Sequence, residues 1–291
     1  METKDLKAAP VKSIEVTRVE GSMEQPFIDA VSVEEPLEIS IAYGPETARI
    51  RKNISVTMRT PGNDPELAAG FLFTEGIISS YRQIKVIKQE GLPGSGQKQN
   101  SILAELAEHA APHLAQSDRN FYTTSSCGVC GKGSIEAIKT VSPFTGDARL
   151  PLSIAAGVLY QLPKALRAAQ DNFSATGGIH ASGLFDTDGN LCLLREDVGR
   201  HNALDKLIGW AFMEDRLPLN KQLLLLSGRA SFELIQKAAM AGITMVAAIG
   251  APSSLAVELA QEADISLFGF LKENRFNIYH LSKHHAIPEP G

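Results

Sequence analysis

Between residues 176 and 279, short apolar runs alternate with longer stretches of helical spacing, and glycine, serine or proline marks the change-overs. The runs 179–185, 191–195, 221–226, 244–249, 265–270 and 276–279 have strand length and turn residues at their ends. The stretches 199–213, 231–241 and the one following Ser254 to 262 read as helices, the first of them amphipathic. A chain alternating in this way covers a sheet with helices, so the pattern predicts a layered α/β core with a mostly parallel sheet. Asp186-Thr187-Asp188-Gly189 joins its two strands as a hairpin instead.

Upstream, the runs 13–19, 37–43 and 53–59 alternate or carry β-branched residues and read as strands. Thr60-Pro61-Gly62-Asn63 is a turn, with Asp64 as helix cap, Pro65 at the first helical position and Glu66 in the first turn. Capping explains Asp64 and Glu66 more simply than a role as catalytic acids. Leu67, Phe71 and Leu72 give that helix its face, ending near Gly76. The runs 83–89 and 101–107 are strands around a Gly- and Pro-containing insertion, 91–100. Residues 121–124 lead into a cysteine loop, 134–139 form a short helix, and 142–151 form a loop that joins subdomains. The stretch 153–173 is helical, broken or restarted at Pro163, and no internal repeat is present. The resulting division is a disordered 1–12, a smaller α+β region 13–141 ending in the cysteine loop, an α/β region 142–279, and a disordered tail 280–291.

Thr123-Thr124-Ser125-Ser126-Cys127-Gly128-Val129-Cys130-Gly131-Lys132 has no apolar periodicity and reads as an exposed loop that presents sulfur. A thiolate is the reactive form, and Lys132 or the amides of the glycine turn would lower the thiol pKa. Disulfide exchange, sulfur carriage as a persulfide, and half of a tetrahedral zinc site all use such a pair. The zinc reading needs two more ligands, from His180, His201 or a carboxylate. The bland alternative is a pair of small residues in a turn. The third cysteine, Cys192, lies between Leu191 and Leu193 and reads as a buried small hydrophobe. Three cysteines and no apolar leader in 1–17 fit a reducing cytoplasm. A net charge of -5 argues against bulk nucleic-acid binding, and no run approaches the ~20 apolar residues that span a bilayer.

Other candidates follow strands. Gly177-Gly178-Ile179-His180 and Glu196-Asp197-Val198-Gly199-Arg200-His201-Asn202, with Asp205 and Lys206 beyond, gather polar groups where a strand becomes a helix. That suits an anion or phosphate, or else a solvated helix start. Ser227-Gly228-Arg229 and Ala251-Pro252-Ser253-Ser254 occupy equivalent positions, where open α/β sheets bind ligands. In Phe270-Leu271-Lys272-Glu273-Asn274-Arg275, Lys272 and Arg275 would clamp a phosphate and Phe270 stack on a flat ring; a solvated turn is the alternative.

Taken in order, these motifs resemble the formate dehydrogenase accessory sulfurtransferases. The resemblance rests on Met58-Arg59-Thr60-Pro61-Gly62, Glu66 to Leu72, Glu75-Gly76-Ile77-Ile78, the Cys127/Cys130 loop, Thr176 to His180, Asp197 to Ala203, Ser227-Gly228-Arg229 and Ala251 to Glu258. It implies a cytoplasmic protein that takes sulfur from a cysteine desulfurase and passes it to the cofactor of formate dehydrogenase. That cofactor is molybdenum or tungsten bis-molybdopterin guanine dinucleotide, bound as cargo; no resident metal is expected. The resemblance further implies Cys127 as persulfide carrier with Cys130 assisting, and cofactor contacts from Phe270 to Arg275. It implies a larger domain similar to the cytidine deaminase fold with a smaller α+β domain attached, and leaves room for a homodimer. Zinc deaminases pair His-x-Glu with Pro-Cys-x-x-Cys. Here Ala181-Ser182 follows His180, Ser126 precedes Cys127, and the cysteines come first, so deaminase chemistry is not expected. The rival readings are a cofactor-binding chaperone that carries no sulfur, and a zinc-binding module.

Overall fold

The computed structural model describes residues 10–91, 100–114, 143–144 and 150–288. The lead-in at 121–124, both cysteines of the Cys127/Cys130 loop and the helix expected at 134–139 lie outside them.

β1 (Val11–Glu20) and β2 (Met23–Ser32) pair antiparallel along their whole length. Sequence reading gave only part of β1 and missed β2, where Glu24, Gln25, Pro26 and Asp29 mask the alternation. β3 (Glu35–Tyr43), β4 (Ile50–Arg59), β5 (Ile84–Glu90) and β6 (Ser101–Leu106) form a sheet in the order β4-β3-β6-β5, parallel only at β3–β6. α1 (Asp64–Thr74) follows β4.

The second half begins with β7 (Leu152–Ser153), α2 (Ala156–Ala169) and α3 (Asp171–Thr176). Pro163 sits inside α2 without breaking it, and the restart falls at Gln170. Then come β8 (His180–Phe185), β9 (Leu191–Asp197), α4 (Arg200–Met213), β10 (Leu223–Leu226), α5 (Phe232–Met240), β11 (Met245–Ala248), α6 (Ser254–Glu262), β12 (Ser266–Lys272) and β13 (Arg275–His280). The expected alternation is therefore present, but the sheet is mixed. Its order is β13-β12-β11-β10-β8-β9, and only β10–β11 and β11–β12 are parallel. The hairpins at both ends account for the antiparallel pairs β12–β13 and β8–β9, and β10 also runs antiparallel to β8. The tail expected to be disordered instead adds β14 (His285–Ala286) beside β7, and His285 is buried with Nδ1 2.7 Å from Ser266 Oγ.

Strand periodicity divides the apolar residues between two cores. Leu224 and Leu226 of β10 join a large cluster with α1, α4, α5, α6 and the four-stranded sheet. Leu223 and Leu225 face the other way, onto Leu159, Leu162 and Leu166 of α2. Each fully buried Leu contributes roughly 1.5–3 kcal/mol over leaving it exposed.

α1 crosses α4 at two glycines. A Cβ on Gly70 would meet the carbonyl of Asp205, and one on Gly209 the carbonyl of Glu66. This close approach buries α4 nearly all round, Asp205 and Lys206 included, so it is not the amphipathic surface helix its spacing suggested. No described helix is long and apolar enough to cross a membrane.

Candidate functional site

Register places the sequence candidates on one edge of the six-stranded sheet. His180 opens β8 opposite Asp197, which closes β9. Ser182 stands opposite Leu226, the last residue of β10, and Leu226 beside Ala248, the last of β11. The loops leaving these ends are tied together. Ala181 N–H donates to Ser227 Oγ (2.8 Å) and Ser227 N–H to the Ala181 carbonyl (3.0 Å). Gly250 N–H donates to the Gly228 carbonyl (3.0 Å), and Phe270 N–H to the Gly250 carbonyl (3.1 Å). The edge thus collects His180, Arg200, His201, Ser227, Gly228, Arg229, Ser253 and Phe270.

α4, α5 and α6 all start here, because each follows a strand that ends here. Their unpaired amides carry partial positive charge. Ser253 Oγ accepts from Ala256 N–H and caps α6, a role the motif concealed. Gly250 is required by close approach: its Cβ would stand 3.0 Å from both Arg229 Cγ and the Gly228 carbonyl oxygen.

Phe270 has φ +52°, the left-handed region, within a register shift of β12 against β13. A bulky residue there is strained by roughly 1–3 kcal/mol. The kink leaves Phe270 40% exposed, while Leu271 turns into the α2 core at 0% exposure. Lys272 and Arg275 are paired across the turn at Glu273 and Asn274, and all four are exposed.

The polar cluster after β9 separates into two groups. Asp197, Asn202, Asp205 and Lys206 point inward. Lys206 Nζ lies 2.7 Å from Asp197 Oδ2 and donates to the Thr60 carbonyl (2.8 Å). Thr60 N–H donates to Asp197 Oδ2 (3.1 Å), and Asn202 Nδ2 to the Met58 carbonyl (2.7 Å). These groups lock the Met58–Gly62 motif onto α4 and are not free for a ligand. Asp64 is likewise no cap: Asn63 precedes the helix, and the Asp64 carboxylate takes a bidentate pair from buried Arg59, both at 2.9 Å. Glu66 pairs with Arg195 (2.8 Å).

The outward group is Arg200, His180 and His201. Arg200 Nε is buried without a hydrogen-bond partner among the described residues. His201 Nε2 lies 3.1 Å from Glu233 Oε2 and 3.3 Å from Ser231 Oγ. Burial, then the charges of Lys237 and Arg200, pushes His201 down to about 3. Burial and Arg200 lower His180 in the same direction. Both imidazoles are therefore neutral near pH 7, and the positive field comes from Arg200, Arg229 and the helix starts.

Sequence reading missed the partners on α5. Glu233 faces His201, and one turn deeper Lys237 Nζ lies 3.0 Å from Asp205 Oδ2, 2.9 Å from Thr74 Oγ1 and 3.2 Å from Glu75 Oε1. The signal was the spacing: His201/Asp205 and Glu233/Lys237 are both i, i+4 pairs. Cys192 is not the buried small hydrophobe expected: its side chain is exposed on β9, where Leu191 and Leu193 take the packed positions. Among the described residues no three His, Cys, Asp or Glu side chains group as a metal set.

A cleft of about 880 Å³ lies against the Thr60–Asn63 turn, lined in part by Arg59, Asp64, Glu66 and Arg195. Those charges neutralise one another in pairs, so the cleft offers a ligand less than the sheet edge does.

The family described as FdhD/NarQ matches residues 32–286. The sulfur carrier protein FdhD of Mycolicibacterium paratuberculosis is 50% identical over 253 residues, covering 86% of this chain and 90% of that one. Its namesake in Mycobacterium tuberculosis is 47% identical over 258 residues, covering 86% and 90%. In Streptomyces avermitilis the figure is 45% over 256 residues, covering 86% and 87%. A crystal structure described as a formate dehydrogenase accessory protein, from Desulfotalea psychrophila, superposes with TM-score 0.70 at 21% identity, covering 95% of this chain and 99% of that one; it shows the shared fold.

Proposed function

Because the chain belongs to the FdhD/NarQ family, we propose that it is a sulfur carrier for formate dehydrogenase that moves sulfur as a persulfide on Cys127. The thiolate of Cys127 attacks the terminal sulfur of a cysteine desulfurase persulfide. A new S–S bond forms on Cys127, the donor's S–S bond breaks, and the donor leaves as a thiolate, so no external oxidant is needed. Cys130 assists. The S–S bond on Cys127 then breaks and Cys127 leaves as a thiolate. The outer sulfur goes to the molybdenum or tungsten of a bis-molybdopterin guanine dinucleotide, which is cargo and supplies the two electrons that take that sulfur to sulfide, before its insertion into formate dehydrogenase in the cytoplasm. The mixed sheet with helices on both faces is read as a cytidine deaminase-like core.

The observation that carries the cargo half of this reading is the sheet edge. Three helix starts, Arg200 with its Nε unpartnered among the described residues, and Arg229 converge beside an exposed aromatic ring. Phosphates suit the Ser227, Ser253 and Arg275 loops, and a guanine suits the face of Phe270. GDP is the simplest probe. Calorimetry should show saturable binding to the full chain, weakened roughly 10- to 100-fold by Arg200→Ala through loss of a charge-assisted contact. No binding by the wild-type chain, or equal binding by the folded variant, contradicts the placement.

A further inference from the structure

Met58-Arg59-Thr60-Pro61-Gly62 stands out in the sequence, yet neither the sulfur step nor the cargo contacts use it. Thr60 follows the last residue of β4 in the four-stranded sheet, and Asp197 ends β9 in the six-stranded one. The two meet in the interior, at 2% and 0% exposure. Both oxygens of the Asp197 carboxylate are occupied. Thr60 N–H (3.1 Å) and Lys206 Nζ (2.7 Å) approach Oδ2, while Gly199 N–H (2.8 Å) and Asn202 Nδ2 (3.2 Å) donate to Oδ1. Thr60 Oγ1 in turn accepts from Val198 N–H (3.2 Å).

The amides of Val198 and Gly199, the two residues that lead into Arg200, are thus each held by a buried side chain. No ordinary cap could do this here. Gly199 is the cap residue of α4 and has no side chain to offer, and a Cβ on it would stand 2.9 Å from Asn202 Nδ2. Arg200 opens α4, and its Nε is buried without a hydrogen-bond partner among the described residues. Aiming a long guanidinium side chain at an anion costs conformational entropy unless the backbone beneath it is already fixed. We propose that Thr60 and Asp197 are positioning residues: they hold the backbone of Val198 and Gly199 so that Arg200 is set for a phosphate of the cargo before the cargo arrives. This rests on the cargo reading of the sheet edge and extends it to two residues that touch no ligand.

Thr60→Val separates the positioning role from a general structural one. It keeps nearly the same shape, the N–H given to Asp197 and the carbonyl given to Lys206, and removes only the acceptor for Val198 N–H. Calorimetry of the full chain with GDP should show binding about tenfold weaker than wild type, because a buried amide left unpaired lets the turn shift. Thr60→Ser, which keeps the hydroxyl, should bind as wild type does. In the Arg200→Ala background Thr60→Val should weaken binding no further, since residues that act through one another do not add. A residue that only supports the fold would have the same effect in both backgrounds.

A second readout needs no GDP. In the chain carrying isotope-labelled arginine, the Arg200 Nε–H resonance, assigned by its loss in Arg200→Ala, should shift or broaden in Thr60→Val and stay in place in Thr60→Ser. Should Thr60→Val not fold, Thr60→Ala removes the same acceptor with less bulk and is measured in the same way. If wild type binds GDP and Arg200→Ala weakens it, but Thr60→Val leaves affinity and resonance unchanged or acts equally in both backgrounds, the positioning proposal fails while the cargo reading stands. A wild type that binds no GDP overturns the cargo reading and with it the phosphate named here, and an unmoved resonance then overturns the positioning itself.

Discussion

Replacing Lys237 with methionine keeps the aliphatic stem and removes the ammonium. Asp205, 2% exposed, is left with the Thr74 hydroxyl, 2.8 Å away, as a neutral donor, whereas Glu75 at 16% side-chain exposure can turn toward water. Breaking a buried pair from one side costs about 3–5 kcal/mol. The cost depends on pH in a predictable direction. Burial holds Asp205 up at about 6 even beside Lys237, whose charge opposes that rise; removing the lysine lifts it further. A carboxyl raised on folding binds its proton more tightly in the folded chain, so stability falls as pH climbs from the ordinary carboxylate range through the folded value. In the wild type that decline ends near pH 6. In the variant it continues through neutrality, by up to about 1.4 kcal/mol per pH unit. His201 adds in the same sense, since Lys237 helps keep it unprotonated and its loss makes acid less costly. Urea unfolding at about pH 5 and about pH 8 should therefore show the larger penalty at the higher pH, and adding Asp205→Asn should flatten the extra slope. A loss below about 1 kcal/mol at the higher pH, or a slope equal to wild type, refutes the claim that this pair is a buried ion pair.

Two further predictions concern the same seam. His201 sits at about 3 when folded, so the unfolded chain takes up a proton that the folded chain refuses, and stability is lost as pH falls from the ordinary histidine value toward 3. At a pH of about 4.5 the loss is about 2–3 kcal/mol, and His201→Gln should remove it, giving a flatter acid limb in urea titrations; an unchanged acid limb contradicts the assignment. Gly70→Ala sets two effects against each other. Helix propensity alone favours alanine by about 1 kcal/mol, but the new Cβ meets the backbone at Asp205 and would stand 2.8 Å from Gly209 N, so a net loss of about 3 kcal/mol is expected and a gain would refute the close crossing.

Much of the second half was legible because periodicity and punctuation agree there. Leu223 to Leu226 is buried on both faces and reads as a strand whichever way it runs, which is why its existence was clear and the sheet's mixed direction was not. Direction depends on connection geometry, and the hairpin at Asp186–Gly189 was the only local clue. β2 was lost because its exposed faces impose no burial pattern. At the site, the residues on the sheet edge were identifiable from their place after each strand, but not their division of labour. Asp197 and Lys206 look the same as Arg200 and His201 in sequence; only the helix turn decides that the first two meet Thr60 while the others face the edge. Cys192 shows the converse error, since alternation between two leucines puts a residue on the opposite face from them, not among them.

The central claim, that sulfur rides on Cys127, is tested most directly by the mass of the intact chain after incubation with a cysteine desulfurase and cysteine. The account predicts an adduct of one sulfur atom, removed by mild reductant, mapped by peptide analysis to Cys127, and absent from Cys127→Ala while GDP binding is retained. An adduct that persists in Cys127→Ala, or formate dehydrogenase matured to full activity by that variant, would contradict it.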